Sequence, residues 1–231
     1  MEISDIISRV RWAIDEEAVD NANFGNASAD DSTKMNKIIK ASIGTALHWV
    51  CLHAPAEMLT GNDGTTAPTE QQKLIVDKTP TVSQIPPTGT AIGGSFSLEN
   101  DFLRLVRVRG DNWHRAVMTP ISEDSEEYLQ LRDENGAMAT YDRPQAAIIL
   151  RATKSIEVYP KPTTVNYTYV RDPLAGGAID YTSETATAPF VPAKAQAALI
   201  YYIAFLVLSA YGDARAARML EIAMMNIGQK P

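Results

Sequence analysis

Ala195-Gln-Ala-Ala-Leu-Ile-Tyr-Tyr-Ile-Ala-Phe-Leu-Val-Leu-Ser-Ala210 decides how this chain folds. It carries no charge and is apolar on nearly every helical face, so a helix built from it must be surrounded by lipid or by other helices. The uninterrupted apolar part, 197–210, is shorter than the roughly 20 residues a bilayer crossing requires, which favours burial in protein. Pro192 stands where a first helical turn tolerates proline, and Tyr211-Gly212 offers a stop. Asp213 then reads as the N-cap of a last helix over 214–227, with Ala216, Met219, Leu220, Ala223 and Ile227 on one face.

The partners of that helix are sought at the front of the chain. Ile3, Ile6, Ile7, Val10 and Ile14 share one face of a first helix. A second helix starts near Asp31-Ser32, buries Met35, Ile38, Ile39, Ala46, Leu47 and Val50, and stops around Pro55. Two amphipathic helices at the front and two apolar ones at the back predict a bundle closed by both chain ends.

Between them the pattern changes twice. Gly, Thr, Pro, Asn and Gln dominate 60–95, which reads as an extended arm or linker with one apolar island, Lys73-Leu74-Ile75-Val76. From Phe96 the period is two: Val106 and Val108 alternate with Arg107 and Arg109, Gly110-Asp111-Asn112 is a turn, and 113–118 returns as a partner strand. Ser122 caps a short acidic helix over 123–131, and strands follow at 146–150, 155–159 and 164–170. The expected fold class is α+β. Residues 1–59 and 191–231 form the helical bundle, 60–95 the arm, and 96–190 an inserted antiparallel β domain of four or five strands with a short helix.

At 231 residues, 45% apolar and 21% charged, the chain has enough material for a sizeable core in one or two domains. There is no N-terminal apolar run, so neither a secretory signal nor a membrane span is expected. The single Cys51 excludes an intramolecular disulfide and fits a reducing compartment. The net charge of −7 is concentrated toward the front, where residues 1–60 hold 9 acidic and 5 basic side chains. Asp15, Glu16, Glu17, Asp20, Asp30 and Asp31 cluster without a Lys or Arg among them, the wrong sign for gripping DNA.

No set of residues points to catalysis. His48 and Cys51 lie one turn apart, but His53 points elsewhere and no fourth ligand follows, so helix-end imidazoles beside a packed cysteine are expected rather than a zinc site. His114 lacks any nucleophile elbow or phosphate loop, and Glu123, Asp124, Glu126 and Glu127 face water on a short helix. No catalytic residue, cofactor or metal ligand is assigned. Arg104, Arg107, Arg109, Arg115 and Trp113 form the one basic, aromatic concentration, either a solvated strand face or an interface. Met219, Met224, Met225 and Ile227 are either core or an adaptable apolar surface for a partner.

The run Phe96-Ser-Leu-Glu-Asn-Asp-Phe-Leu-Arg-Leu-Val-Arg-Val-Arg-Gly-Asp-Asn-Trp-His-Arg-Ala-Val117 resembles the head–tail connector (adaptor) proteins of tailed bacteriophages. Ile156-Glu-Val-Tyr-Pro160, Arg143-Pro-Gln-Ala146 and the closing Asp213-Ala-Arg-Ala-Ala-Arg-Met-Leu220 are similar to theirs in order and spacing. Glu99-Asn100 stands where proline is usual, and the 60–95 arm is a second departure. The resemblance implies a non-enzymatic virion protein of the neck, about twelve copies of which close into a ring between portal and tail. It also implies assembly in the bacterial cytoplasm, partners among portal, tail or nozzle proteins, and no membrane. DNA would pass through without specific binding, and the acidic residues above would line the channel. Two other readings compete. One is a carbohydrate-binding or adhesin-like β module with Trp113 and the tyrosines as stacking platforms; the other is an enzyme using His114 and Glu123.

Overall fold

The structure, a computed structural model, describes residues 1–14, 29–61, 73–85, 93–133, 139–151, 153–175 and 191–230. They form a mixed α and β protein of six helices and two sheets. The chain divides into two compact units: Met1–Leu74 with Asp172–Pro231, and Ile75–Arg171.

The first unit is helical: α1 (Ile3–Ala13), α2 (Ala29–His53), α3 (Ala56–Leu59), α5 (Ala193–Ala210) and α6 (Ala216–Asn226). Helix α5 touches α1, α2, α3 and α6, as its lack of a polar face requires. It buries Leu199, Ile203, Ala204, Val207 and Leu208 against them. Each such large aliphatic contributes about 1.5–3 kcal/mol relative to exposure. From α1 come Ile3, Ile6 and Val10, and from α2 Ile39, Ile43, Ala46, Leu47 and Val50, all fully buried. The polar tie between α1 and α2 is the Arg11 guanidinium, donating to Asn36 Oδ1 at 2.9 Å.

Both late helices stop by the same device. Gly212 (φ +68°) follows α5, with its N–H on Ser209 O and that of Asp213 on Leu208 O. Gly228 (φ +75°) follows α6, with Gly228 N–H on Met225 O and Gln229 N–H on Met224 O. A residue without Cβ enters the left-handed region at no steric cost and lets two orphan carbonyls be satisfied. At the start of α6 the Asp213 carboxylate accepts from the Arg215 N–H at 2.8 Å, while Arg215 donates to Ile14 O and closes the end of α1.

The second unit is a two-layer sandwich with one helix. Its strands are β1 (Ile75–Lys78), β2 (Ser83–Gln84), β3 (Gly94–Ser97), β4 (Phe102–Gly110), β5 (Ile121–Ser122), β6 (Gln145–Ile149), β7 (Ser155–Tyr159) and β8 (Val165–Arg171), and its helix is α4 (Glu126–Asp133). One sheet has the order β1-β8-β4, the other β2-β3-β7-β6-β5. Val76, Leu105, Val108, Tyr167 and Tyr169 of the first sheet share a core with Phe96, Ala146, Ile156 and Val158 of the second. All five residues of β7 are buried because its outer face is covered as well, by Tyr128 and Leu131 of α4.

Several expectations need correction here. The 60–95 segment supplies β1, β2 and the start of β3, so part of it is sheet rather than arm. The 113–118 stretch is no full strand: only Val117 pairs, with Val108. Trp113 turns inward instead and is 2% exposed, with its indole N–H donating to Pro160 O at 2.9 Å. In β4 the alternation breaks at a register shift between Leu105 and Arg107, so Leu105 and Val108 are buried while Val106 is only half-buried. The β5–β6 pair is parallel, since α4 carries the chain back before β6 begins. The cap of α4 is Ser125, whose hydroxyl accepts the Tyr128 N–H, not Ser122.

Candidate interaction site

The helical unit leaves part of its most apolar helix uncovered. Of the residues in Ala193–Ala210, 44% are buried, although the mean hydropathy of the segment is 1.5 and Lys194 is its one charge. By length and composition alone it would pass as a membrane span, but it packs against four helices of its own chain. Ala197, Tyr201, Tyr202, Phe205 and Leu206 are half-buried. Tyr202 lies flat on Trp49 of α2, with ring centroids 4.1 Å apart and planes at 9°, and its phenol is pushed above the ordinary value by desolvation.

Beside this stripe, α1 and α5 enclose a groove of about 700 Å³. Ser8, Arg9 and Trp12 line it from α1, and Gln196, Ala197 and Tyr201 from α5. Trp12 is 75% exposed, an unusual state for an indole that has a neighbouring apolar wall available. Arg9, the one charged residue in the lining, donates to the neutral Gln196 Oε1 at 3.1 Å, and the Gln196 amide in turn donates to Val191 O. Small, half-buried Ala197 between the aromatics Trp12 and Tyr201 in the lining makes a groove suited to an inserted apolar side chain. The i, i+4 spacing of Ala197 and Tyr201 was legible in the sequence. Trp12 was the missed signal, an indole on the polar side of the first helix.

The residues singled out earlier fall into four groups. Trp113 and Ile227 belong to the core, at 2% and 1% exposure, and are not surface anchors. Arg107, Arg109 and Arg115 are exposed, and Arg104 is half-buried. Arg107 is taken up within its own sheet: its Nε donates to Thr168 Oγ1 at 3.1 Å, and its charge lies 3.9 Å from Asp77, which also accepts from Thr168. On α6, Met225 is 60% exposed while Met219 and Met224 are half-buried. Asp15, Glu16, Glu17 and Asp20 lie outside the described residues, and Asp30 and Asp31 fall in the first turn of α2.

The remaining ionisable groups are engaged separately. His114 pairs with Asp142 at 2.5 Å on the surface of the β unit; the hydrogen bond and charge of the imidazole hold that carboxyl below its usual range. Glu123 instead accepts the N–H groups of Leu150 and Arg151, so the two members of the enzyme reading serve different partners. His48 meets Asp172 at 2.9 Å, His53 leans on Trp49 at 5.2 Å, and Cys51 is buried. The described residues contain no group of three or more His, Cys, Asp or Glu placed to hold a metal. Of the platform the carbohydrate reading needs, Trp113, Tyr128, Tyr159, Tyr167 and Tyr169 are buried, whereas Tyr141 is exposed.

A comparison with characterised proteins finds no significant match. A family model described as SU10 adaptor protein matches residues 1–228, nearly the whole chain.

Proposed function

The chain belongs to the SU10 adaptor protein family, a family of structural rather than enzymatic phage components, and from that premise we propose a head–tail connector. In this reading about twelve copies close head-to-tail into a ring that joins the portal to the tail. The helices drawn from both chain ends form the collar of the ring. The inserted β domain faces outward or toward the tail, and portal, tail or nozzle proteins are its other partners. The protein is assembled into the virion neck in the host cytoplasm.

The observation that carries the reading is α5, an almost uncharged helix on which Ala197, Tyr201, Phe205 and Leu206 stay only half-buried. Apolar surface of that kind, gathered around a groove with an exposed tryptophan, marks a place where protein meets protein. The acidic residues Asp15, Glu16, Glu17, Asp20, Asp30 and Asp31 line the channel. Their like charge repels the DNA backbone, so the duplex slides without adhering.

Cryo-electron microscopy of the particle containing this chain tests the proposal. Density for a closed ring of copies between portal and tail is the expected result. A particle whose neck lacks the chain, or holds single unconnected copies, overturns it.

A further inference from the structure

The groove between α1 and α5 identifies its own occupant, on the reading that copies of this chain adjoin one another. We propose that it receives the outer face of α6 from the neighbouring copy, with Met225 entering the slot and Glu221 meeting Arg9. The inner face of α6 is consumed by α5, where Ala223 and Ile227 are buried. The outer face is what remains: Ala217, Arg218, Glu221 and Met225 are exposed. Glu221 and Met225 are four residues apart and therefore neighbours on one helix face.

Two features of the chemistry match. The groove's lining carries one charge, the cation Arg9, beside neutral Ser8 and Gln196 and apolar side chains, and among the described residues Arg9 meets only the neutral Gln196 amide. The α6 face is an unbranched, adaptable side chain next to one anion, and Met225 at 60% exposure has no reason to face water. Glu221 already holds Arg218 of its own helix at 3.0 Å, so docking extends an ion pair to three members instead of stranding a charge. The two patches are complementary but not identical, and every chain carries both. Such a pair repeats head to tail, and closes into a ring when the rotation between copies allows.

The test adds purified chain to particles assembled without it, then counts bound copies and images the neck. Ala197→Trp fills the slot and should lower bound chain by at least about tenfold, with the circular-dichroism spectrum and melting unchanged. Arg9→Glu and Glu221→Arg should each weaken binding, and the chain carrying both should recover it. Arg9 and Glu221 are exposed, so this pair carries the test by itself if Ala197→Trp does not fold. Rings that form on Ala197→Trp as on the unaltered chain overturn the site, as does a double charge reversal no better than either single one. If the unaltered chain makes no ring on these particles, the connector reading fails instead, which keeps the two failures apart.

Discussion

The two units differ in what their described cores hold: buried polar pairs in the β unit, aliphatic packing in the helical one. The β unit pairs the polar groups it buries, while Met118, Leu129, Tyr141 and Leu150 stay exposed on its surface. Glu157, the one buried carboxylate among its described residues at 8% exposure, accepts from Tyr128 Oη at 3.1 Å and Tyr159 Oη at 2.8 Å, and Arg132 lies over the Tyr128 ring. Asp101 does the same for Tyr169 and Arg171, at 2.7 and 2.6 Å. The described core of the helical unit is built of Ile, Leu, Val and Ala, yet Trp12 is 75% exposed and Ala197, Tyr201, Phe205 and Leu206 of α5 are only half-buried. Polar pairing fixes the groups that are buried, whereas apolar side chains gathered around an open groove are left for a partner to cover. The difference tells us where to look for a partner.

If that contrast is right, the largest loss of stability comes from inside the β unit. Trp113→Ala removes a buried ring and its bond to Pro160 O, and should cost about 3–5 kcal/mol in denaturant unfolding. Next in size is Glu157→Leu, which leaves two buried phenols without an acceptor and should cost about 1–3 kcal/mol for each hydroxyl left unpaired. Adding Tyr128→Phe and Tyr159→Phe should recover most of the loss. A Glu157→Leu chain as stable as the original would show that the tyrosines find other partners.

The same tyrosines make the β unit sensitive to alkali. Burial, and then the carboxylates beside them, raise Tyr128, Tyr159 and Tyr169 above the ordinary value of 10.0 and push Tyr167 up to about 12. A group whose folded pKa is raised lends stability that is complete below the unfolded value and is lost as pH rises through the folded one. Stability should therefore begin to fall above pH 10.0, and the phenolate absorbance of these four should appear only as the β unit unfolds. Early titration of all nine tyrosines in the ordinary range would contradict the packing.

The smaller effects sharpen the comparison from the other side. Trp12→Ala should change unfolding by no more than about 0.5 kcal/mol, because the ring is mostly in water, while sharply reducing assembly into particles. A large stability loss would show that Trp12 serves its own chain instead. His114→Ala should leave melting unchanged, since the pair with Asp142 is exposed on both sides. Its signature is in the carboxyl alone: by NMR titration, Asp142 should move back up toward the ordinary 3.8 once the imidazole is gone.

Much of the helical unit was legible before the structure. The spacing of Ile3, Ile6, Ile7, Val10 and Ile14 names a face that is buried except at the half-buried Ile7, and Gly212 stops α5 as its position implied. The β unit was less legible for three physical reasons. A register shift in β4 hides the two-residue period, β1 pairs with a strand about ninety residues away, and β7 is covered on both faces. Short strands with long-range partners carry little local pattern. Trp113 shows the same limit: composition marks it as an anchor, but whether a ring faces core or solvent depends on which backbone carbonyl it can reach.

By itself, the sequence determined that an uncharged apolar helix must be surrounded, by lipid or by other helices, because periodicity and charge are local properties of the chain. Only the tertiary structure decided that the enclosure stops short, leaving Trp12, Ala197 and Tyr201 around an open groove and Met225 outward. Coverage is a property of packed surfaces, set by how far neighbouring helices reach, and no residue carries that information alone.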